Sequence, residues 1–240
     1  MRNILKICLC AVMILTLCVS VVACTAAPIG KAAYDTTVTG SGEDVKMTEV
    51  RKEIDSMKVE DFVASEQQSD YVLIDVKDYG KIVVVLRHDI APKTVANFKK
   101  LVAEGFYNGT LFHRVIENFM IQAGGYVVEE GKHIKKESAT IKGEFTFNGH
   151  TNNLSHERGV ISMARISGEN NSASSQFFIV HESNNSTRSL NYEYASFGYV
   201  LAGMDVVDAI ATCKVDATNA SSPEPVVDIV INSITFVEPK

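Results

Sequence analysis

Cysteine is nearly absent from the sequence beyond its first two dozen residues. Of the five cysteines, Cys8, Cys10, Cys18 and Cys24 lie near the N-terminus, and only Cys213 lies farther along. A single remaining thiol cannot form an intramolecular disulfide, so a domain built from the later residues must be held by its hydrophobic core. The hydrophobic fraction of 46% is sufficient for one such core.

Other features that would mark particular functions are also missing. Lys and Arg number 23 against 29 Asp and Glu, which argues against a nucleic-acid partner because phosphate neutralisation requires clustered basic residues. The six histidines are scattered without metal-ligand spacing, and His156-Glu157 lacks the second histidine of a zinc-hydrolase motif. No G-x-S-x-G nucleophile motif occurs. The sequence therefore predicts no metal site and no hydrolytic serine of that type.

The N-terminal residues have the pattern of an export signal. Arg2 and Lys6 precede an apolar run over residues 7–22, which is short for a permanent membrane-spanning helix of about 20 apolar residues. The junction Val-Val-Ala-Cys24 resembles the bacterial lipobox. This resemblance implies a signal peptide over residues 1–23, a diacylglyceryl anchor on Cys24 and a location at the extracytoplasmic face of the cell membrane. The alternative is a secreted protein whose signal ends near a cysteine by chance.

Two segments separate the anchor from the domain. Residues 24–44 are small and polar, which favours a flexible tether. Residues 45–70 are interpreted as an amphipathic helix, over 45–63, followed by a linker. Its apolar stripe recurs at spacings of three, four and three: Met47, Val50, Ile54 and Met57. The stripe either packs on the domain's own surface or docks a partner or lipid.

Residues 71–240 have the pattern of a mainly β domain. The β-branched runs 71–74 and 81–86 flank an Asp-Tyr-Gly turn and predict a hairpin. Helices are predicted at 92–104, where Pro92 suits the first turn, and at 204–212. Further short strands are predicted at 111–116, 120–124, 139–147, 159–164, 175–180, 196–201 and 226–237. Many short strands with two helices favour a closed antiparallel barrel capped at its ends.

Three long motifs identify a family. They are FHRVIENFMIQAGG at 112–125, GVISMA at 159–164 and SQFFI at 175–179, with supporting flanks at 91–98 and 195–198. In this order and spacing they resemble the cyclophilin family of peptidyl-prolyl cis–trans isomerases, over residues 71–240. The resemblance implies a closed eight-stranded antiparallel barrel with two capping helices and a peptide groove on its outer surface.

The implied reaction needs no cofactor. Rotation about an X–Pro amide must break resonance across a barrier of about 18–20 kcal/mol, and no bond is cleaved. In the twisted transition state the prolyl nitrogen regains a lone pair, so a fixed cationic donor stabilises that state more than the planar one. By resemblance the donor is Arg114.

The resemblance also implies roles for the other residues of the site. It implies a proline pocket lined by Phe119, Met120, Phe178 and Leu190. Gln122 would bind substrate amides or carbonyls, and Ala164 with the backbone of Arg165 would hold the residue before proline. Gln176 and Tyr194 complete the substrate-binding set. Alternation along the strands sends Phe177 into the core if Phe178 faces the groove, and places His113 opposite Arg114.

Several positions depart from the family pattern. Glu117-Asn118 replace a common Pro-Gly, Ala123 and Gly125 stand where Gly and Asp are usual, and Arg165 stands where many members have Asn. The chain has no tryptophan, and Ser189 takes the place of the one that helps many members bind cyclosporin. We therefore expect weak inhibition by cyclosporin. Tyr194 replaces a common histidine.

These observations predict a monomeric, lipid-anchored isomerase that assists the folding of exported proteins and binds their proline-containing segments. Uncatalysed X–Pro isomerisation is slow enough to limit folding after secretion. The first alternative is a non-catalytic chaperone or scaffold that binds proline peptides. The second is a surface adhesin in which the 45–63 helix carries the function.

Overall fold

The computed structural model describes Ile54 and residues 56–240. The predicted signal peptide 1–23, the tether 24–44 and the first part of the predicted helix, with Met47 and Val50, lie outside these residues. In the described part of the chain, no helix is both long enough and apolar enough to span a bilayer.

Strands dominate the described residues. They are β1 (Phe62–Ala64), β2 (Tyr71–Val76), β3 (Gly80–Leu86), β4 (Thr110–Ile116), β5 (Met120–Glu129), β6 (Lys132–Lys135), β7 (Val160–Met163), β8 (Phe177–Val180), β9 (Ser196–Ala202), β10 (Val215–Asp216), β11 (Glu224–Pro225) and β12 (Ile231–Pro239). The helices are α1 (Pro92–Ala103), the single turn α2 (Asn185–Arg188) and α3 (Met204–Ala211), with 3-10 turns at Val59–Asp61 and Thr146–Asn148. A mainly β domain with two longer helices is thereby confirmed.

One antiparallel sheet holds ten of the described strands. Its order is β1-β12-β2-β3-β9-β7-β8-β5-β4, and β6 pairs with β5 off this path. The predicted hairpin is confirmed as β2–β3, with Tyr71 opposite Val85 and Val76 opposite Gly80. The turn between them places Asp78 and Gly80 at positive φ, the backbone region that Gly and Asp tolerate best.

The predicted closure into an eight-stranded barrel is wrong for the described residues, because no ladder joins the ends of the sheet. β4 approaches the chain before β12 through one isolated bridge between Leu111 and Val230, and the Phe112 N–H donates to the Ile229 carbonyl at 2.9 Å. Register shifts interrupt β4, and β12 begins only at Ile231 rather than at residue 226. β4 and the chain leading into β12 are therefore joined by isolated contacts and not by a continuous ladder of hydrogen bonds.

The curved sheet is covered on both faces. Alternation along β3 sends Ile82 and Val84 into the inner core and Val83 and Val85 into an outer cluster. The helices α1 and α3 contribute Phe98 and other buried residues to the inner core. The outer cluster continues into the pocket described below.

The predicted strand at 139–147 is wrong. This segment is a loop whose polar groups bond elsewhere: the Ile141 N–H donates to the Ala173 carbonyl, and the buried Glu144 carboxylate accepts from the backbone N–H groups of Lys93 and Thr94. Glu144 thus caps the start of α1, where helix N–H groups lack partners. Alternating apolar residues do not reveal that role.

The end of the predicted 45–63 helix is also different. Ile54 and Met57 are buried against the outer cluster, but a 3-10 turn follows at Val59–Asp61 and β1 begins at Phe62. β1 pairs with β12 and so extends the sheet edge.

Candidate functional site

A pocket of about 200 Å³ opens on the outer face of the sheet. Nine of the ten residues predicted for the site line it: Arg114, Phe119, Met120, Gln122, Ala164, Arg165, Phe178, Leu190 and Tyr194. The tenth, Gln176, is hydrogen-bonded to Gln122 from beside the pocket. We call Arg114, Met120, Gln122 and Phe178 the strand wall, and Ala164, Arg165, Leu190 and Tyr194 the loop wall.

Sheet register brings the strand wall together. Arg114 of β4 lies opposite Gln122 of β5, and Gln122 lies opposite Phe178 of β8. Because side chains alternate, the neighbouring Ile121 and Phe177 point into the inner core, where both are fully buried. The predicted inward position of Phe177 is therefore confirmed.

The guanidinium of Arg114 is held by two strong contacts. Its Nε donates to the Ser221 carbonyl at 3.0 Å, and its Nη1 donates to Gln122 Oε1 at 3.2 Å, with Met120 Sδ 3.7 Å from the same nitrogen. Burial lowers the pKa of Arg114, but an arginine remains charged at neutral pH. Nη2 has no hydrogen-bond partner among the described residues, so a fixed cation keeps two free N–H groups at the pocket.

A second link stabilises Gln122. Its Nε2 donates to Gln176 Oε1 at 2.9 Å, which fixes the amide so that its oxygen faces Arg114. Gly125 makes room for this arrangement, because a Cβ at position 125 would overlap the Gln176 side chain. The departure at Gly125 therefore has a structural consequence at the site.

Asn118 holds the altered turn beside Phe119. Asn118 adopts a φ of 61°, which asparagine tolerates better than most residues, and its N–H donates to His181 Nδ1 at 3.0 Å. The Phe119 N–H donates to the Ile116 carbonyl at 3.1 Å. Phe119 consequently lines the pocket although Glu117-Asn118 replace Pro-Gly.

Arg165 braces the loop wall through its side chain. The guanidinium carbon lies 5.3 Å from the ring centre of Phe145 and 4.7 Å from that of Tyr194, and Nε donates to the Glu193 carbonyl at 2.9 Å. Only 7% of the side chain is exposed. Arg165 thus fixes the segment that carries Leu190 and Tyr194.

His156 supports the pocket from behind. Its ring stacks on Phe178 at 5.8 Å, Nδ1 lies 3.0 Å from Asn191 Oδ1, and Nε2 lies 2.9 Å from Ser162 Oγ. Burial lowers the pKa of His156 to about 4, against a weaker raising effect of the Asn191 hydrogen bond. A neutral imidazole therefore ties the loop wall to β7.

His113 does not line the pocket, but the alternation that placed it opposite Arg114 is broken by a register shift between Phe112 and Arg114, and His113 bonds to Gln176 beside the pocket. Its ring centre is 4.6 Å from that of Tyr126, and burial lowers its pKa to about 4 despite hydrogen bonds to the Leu111 carbonyl and Gln176. These contacts agree with the predicted structural role.

Sequence reasoning missed two contributors. Ser221 acts through its backbone carbonyl, which carries no side-chain signal, and His156 acts through burial, which its local sequence does not reveal.

Among the described residues, no three His, Cys, Asp or Glu side chains converge on a point that could hold a metal ion. The arrangement is a fixed cation above an apolar pocket, which can stabilise developing negative charge or a lone pair on a bound amide.

Comparisons with known proteins show the family of this chain. Residues 71–236 match the family model described as cyclophilin type peptidyl-prolyl cis-trans isomerase/CLD. Peptidyl-prolyl cis-trans isomerase B of Escherichia coli (strain K12) is 40% identical over 166 residues, which cover 67% of this chain and 96% of that protein. A peptidyl-prolyl cis-trans isomerase of Acinetobacter baylyi is 44% identical over 142 residues, 58% of this chain and 71% of that protein.

A solved structure gives the same result. The crystal structure of a Cryptosporidium parvum cyclophilin type peptidyl-prolyl cis-trans isomerase, in the presence of the dipeptide Ala-Pro, matches with a TM-score of 0.55 and 30% identity. The match covers 69% of this chain and 98% of that chain. With the family model matching more than half of the sequence, the chain belongs to the cyclophilin-type peptidyl-prolyl cis–trans isomerases and is an enzyme of that class.

Proposed function

We propose that the protein accelerates X–Pro rotation in exported polypeptides, with Arg114 donating a hydrogen bond to the prolyl nitrogen in the twisted transition state. The observation that carries this proposal is the free Nη2 of a guanidinium whose Nε and Nη1 are fixed by the Ser221 carbonyl and Gln122. A donor fixed in advance needs no reorganisation when the amide twists.

The apolar residues of the pocket support the same step. Phe119, Met120, Phe178 and Leu190 surround the space in front of Arg114. A planar amide is more dipolar than a twisted one, so an apolar environment disfavours the ground state relative to the transition state. The bound proline would therefore be destabilised in its planar form while the cation stabilises its twisted form.

The place of action is proposed from the N-terminal sequence. A lipid anchor on Cys24 with a tether over residues 24–44 would hold the isomerase domain, as a monomer, at the extracytoplasmic face of the cell membrane. It would there meet proline-containing chains as they emerge from export. Metabolic labelling with a palmitate analogue tests the anchor: we expect label on the wild-type protein and none on Cys24→Ser. Release of unlabelled, active wild-type protein into the medium would contradict it.

The catalytic role of Arg114 is tested with a short Ala-Pro peptide. Loss of one preorganised donor typically lowers kcat by about 10²–10³-fold, and we expect a fall of this size for Arg114→Ala. Arg114→Lys is the matched control, because it keeps the charge but replaces the rigid fork of separate Nε, Nη1 and Nη2 donors with a single nitrogen. We expect it to recover only part of the rate.

Peptide affinity separates catalysis from binding alone. If wild-type protein binds the peptide without accelerating its isomerisation, the non-catalytic chaperone becomes the better description of this chain. If Arg114→Ala remains folded and retains full activity, the cation has no role in the rotation. Circular dichroism of each variant establishes that it is folded.

A further inference from the structure

Two exposed aromatic side chains stack beside the pocket. Phe147 and Tyr192 have ring centres 6.0 Å apart with an interplanar angle of 25°, and the Phe147 N–H donates to the Tyr192 carbonyl at 2.9 Å. They expose 68% and 47% of their surface. A backbone hydrogen bond and a ring contact thus fix the pair, while most of its apolar surface faces solvent. We call this pair the aromatic shelf.

The shelf is continuous with the loop wall. Tyr192 is two residues from Leu190 and two from Tyr194, both of which line the pocket, so its Cα lies within about 7 Å of theirs. The intervening Glu193 is bound to Arg165 through its carbonyl and its carboxylate. A polypeptide that leaves the pocket toward Tyr192 would meet the shelf.

The backbone at Tyr192 is strained. Its φ is 70°, a left-handed conformation that is uncommon for a bulky residue and that glycine adopts without cost. Such strain is concentrated at functional sites. Here it fixes an aromatic ring in an outward position where glycine would be the easier residue.

The charges around the shelf indicate a neutral occupant. The Glu193 carboxylate next to Tyr192 is 3.4 Å from Arg165 Nη2, and the chain neighbours of the two rings are otherwise uncharged: Thr146, Asn148 and Asn191. Two rings inclined by only 25° present flat apolar faces, which pack with aromatic or large aliphatic side chains.

We propose that the aromatic shelf is a substrate subsite that selects polypeptides with an aromatic or large apolar side chain two to four residues from the proline. The substrate class is then unfolded protein chain with exposed hydrophobic residues, and this inference rests on the proposed isomerase function. Segments of this kind are exposed before folding and buried afterwards.

The test uses pairs of peptides that differ at one position. Each pair carries Phe or Ala at one position from two to four residues before or after an Ala-Pro unit, and the readout is the ratio of kcat/KM for the Phe peptide to that for the Ala peptide. A stacking contact corresponds to a ratio of about three- to tenfold for at least one pair with wild-type protein. The ratio falls below about twofold in Tyr192→Gly, Tyr192→Asn and Phe147→Ser.

Matched controls isolate the ring. Tyr192→Asn removes the ring but tolerates the left-handed backbone, so it separates ring loss from backbone change. Val227→Ser removes an exposed apolar side chain that belongs neither to the pocket nor to the shelf, and it keeps the wild-type ratio. A ratio near one in the wild type, or one that survives in Tyr192→Asn and Phe147→Ser, overturns the subsite.

Two further measurements distinguish other failures. Dissociation constants of the same peptides give the ratio even if the wild type accelerates neither peptide, which would contradict the proposed function and not the subsite. Partition onto vesicles of phosphatidylglycerol and phosphatidylethanolamine tests a lipid role. Loss of vesicle binding in Phe147→Ser with an unchanged peptide ratio would overturn the inference and assign the shelf to the membrane.

Discussion

The strand wall and the loop wall face each other across one pocket, but different interactions hold them in place. Sheet register fixes Arg114, Gln122 and Phe178, and each lies on a strand whose alternate residues are buried in the core. Polar and cation–π contacts of Arg165 and His156 fix the loop wall. The strand wall supplies the rigid donor, whereas the loop wall can differ in sequence without loss of that donor.

Two of the departures from the family pattern lie on the loop wall. Arg165 and Tyr194 replace residues of the loop wall, and together they form a packed pair with a guanidinium-to-ring distance of 4.7 Å. The strand wall keeps Arg114, Met120, Gln122 and Phe178. We therefore expect rotation chemistry to depend on the strand wall and peptide selection on the loop wall, and the following predictions test that division.

The largest expected effect is a loss of stability in acid, to which both walls contribute. His113 beside Gln176 and His156 behind the loop wall have pKa values lowered to about 4 by burial, whereas an unfolded histidine titrates near 6.5. Between pH 6.5 and 4 these histidines bind protons in the unfolded chain but stay neutral in the folded protein. The free energy of unfolding should therefore fall between about pH 6.5 and 4, by up to about 3 kcal/mol for each histidine.

Chemical denaturation at a series of pH values measures this slope. We expect His156→Gln to remove its share of the slope while lowering stability at pH 7. A free energy of unfolding that is constant between pH 6.5 and 4, apart from the contribution of carboxylates below pH 5, would show that neither histidine is buried in its neutral form.

The next prediction compares the effects on activity of one substitution in each wall. Gln122→Ala removes a hydrogen bond to the charged Arg114, and such bonds contribute about 1.5–3 kcal/mol. If that contribution is made in the transition state, kcat/KM falls about 10–100-fold. Tyr194→Phe, on the loop wall, removes a hydroxyl with no protein hydrogen-bond partner among the described residues and should cost less than about threefold on the same peptide.

Isomerisation rates of the two variants, measured on one Ala-Pro peptide, test this expected difference. Equal losses in both variants would contradict the division, as would a larger loss in Tyr194→Phe than in Gln122→Ala.

The smallest effect concerns Gly125. A Cβ there displaces the Gln176 side chain, which fixes the amide of Gln122, so Gly125→Ala should lower kcat/KM by a few-fold. In a Gln176→Ala background the same change should cost nothing further, because its target is already absent. Additive losses in the double variant would mean that Gly125 acts by another route.

Much of the site could be predicted because its residues lie in long motifs on regular strands. Alternation separates Phe177 from Phe178, and register then assembles the strand wall. The hairpin β2–β3 and the helices α1 and α3 follow from local pattern for the same reason.

The wrong predictions concern segments whose backbone conformation depends on contacts with residues far away in the sequence. The 139–147 segment has apolar residues at alternate positions, but it forms no strand. Glu144 instead caps the start of α1, about 50 residues earlier in the chain. The predicted closure of the sheet fails because β4 meets the chain before β12 only through isolated contacts, such as that of Phe112 with Ile229, which no local pattern predicts. Ser221 contributes only a carbonyl, and every residue type has one.

The most direct test of the account is exchange NMR of an Ala-Pro peptide with a small amount of protein. We predict cis–trans exchange peaks with the wild type, and with Arg114→Ala peptide shifts that still report binding but exchange slowed by about 10²-fold or more. Exchange at the wild-type rate in a folded Arg114→Ala variant would contradict the assignment of the rotation to the guanidinium.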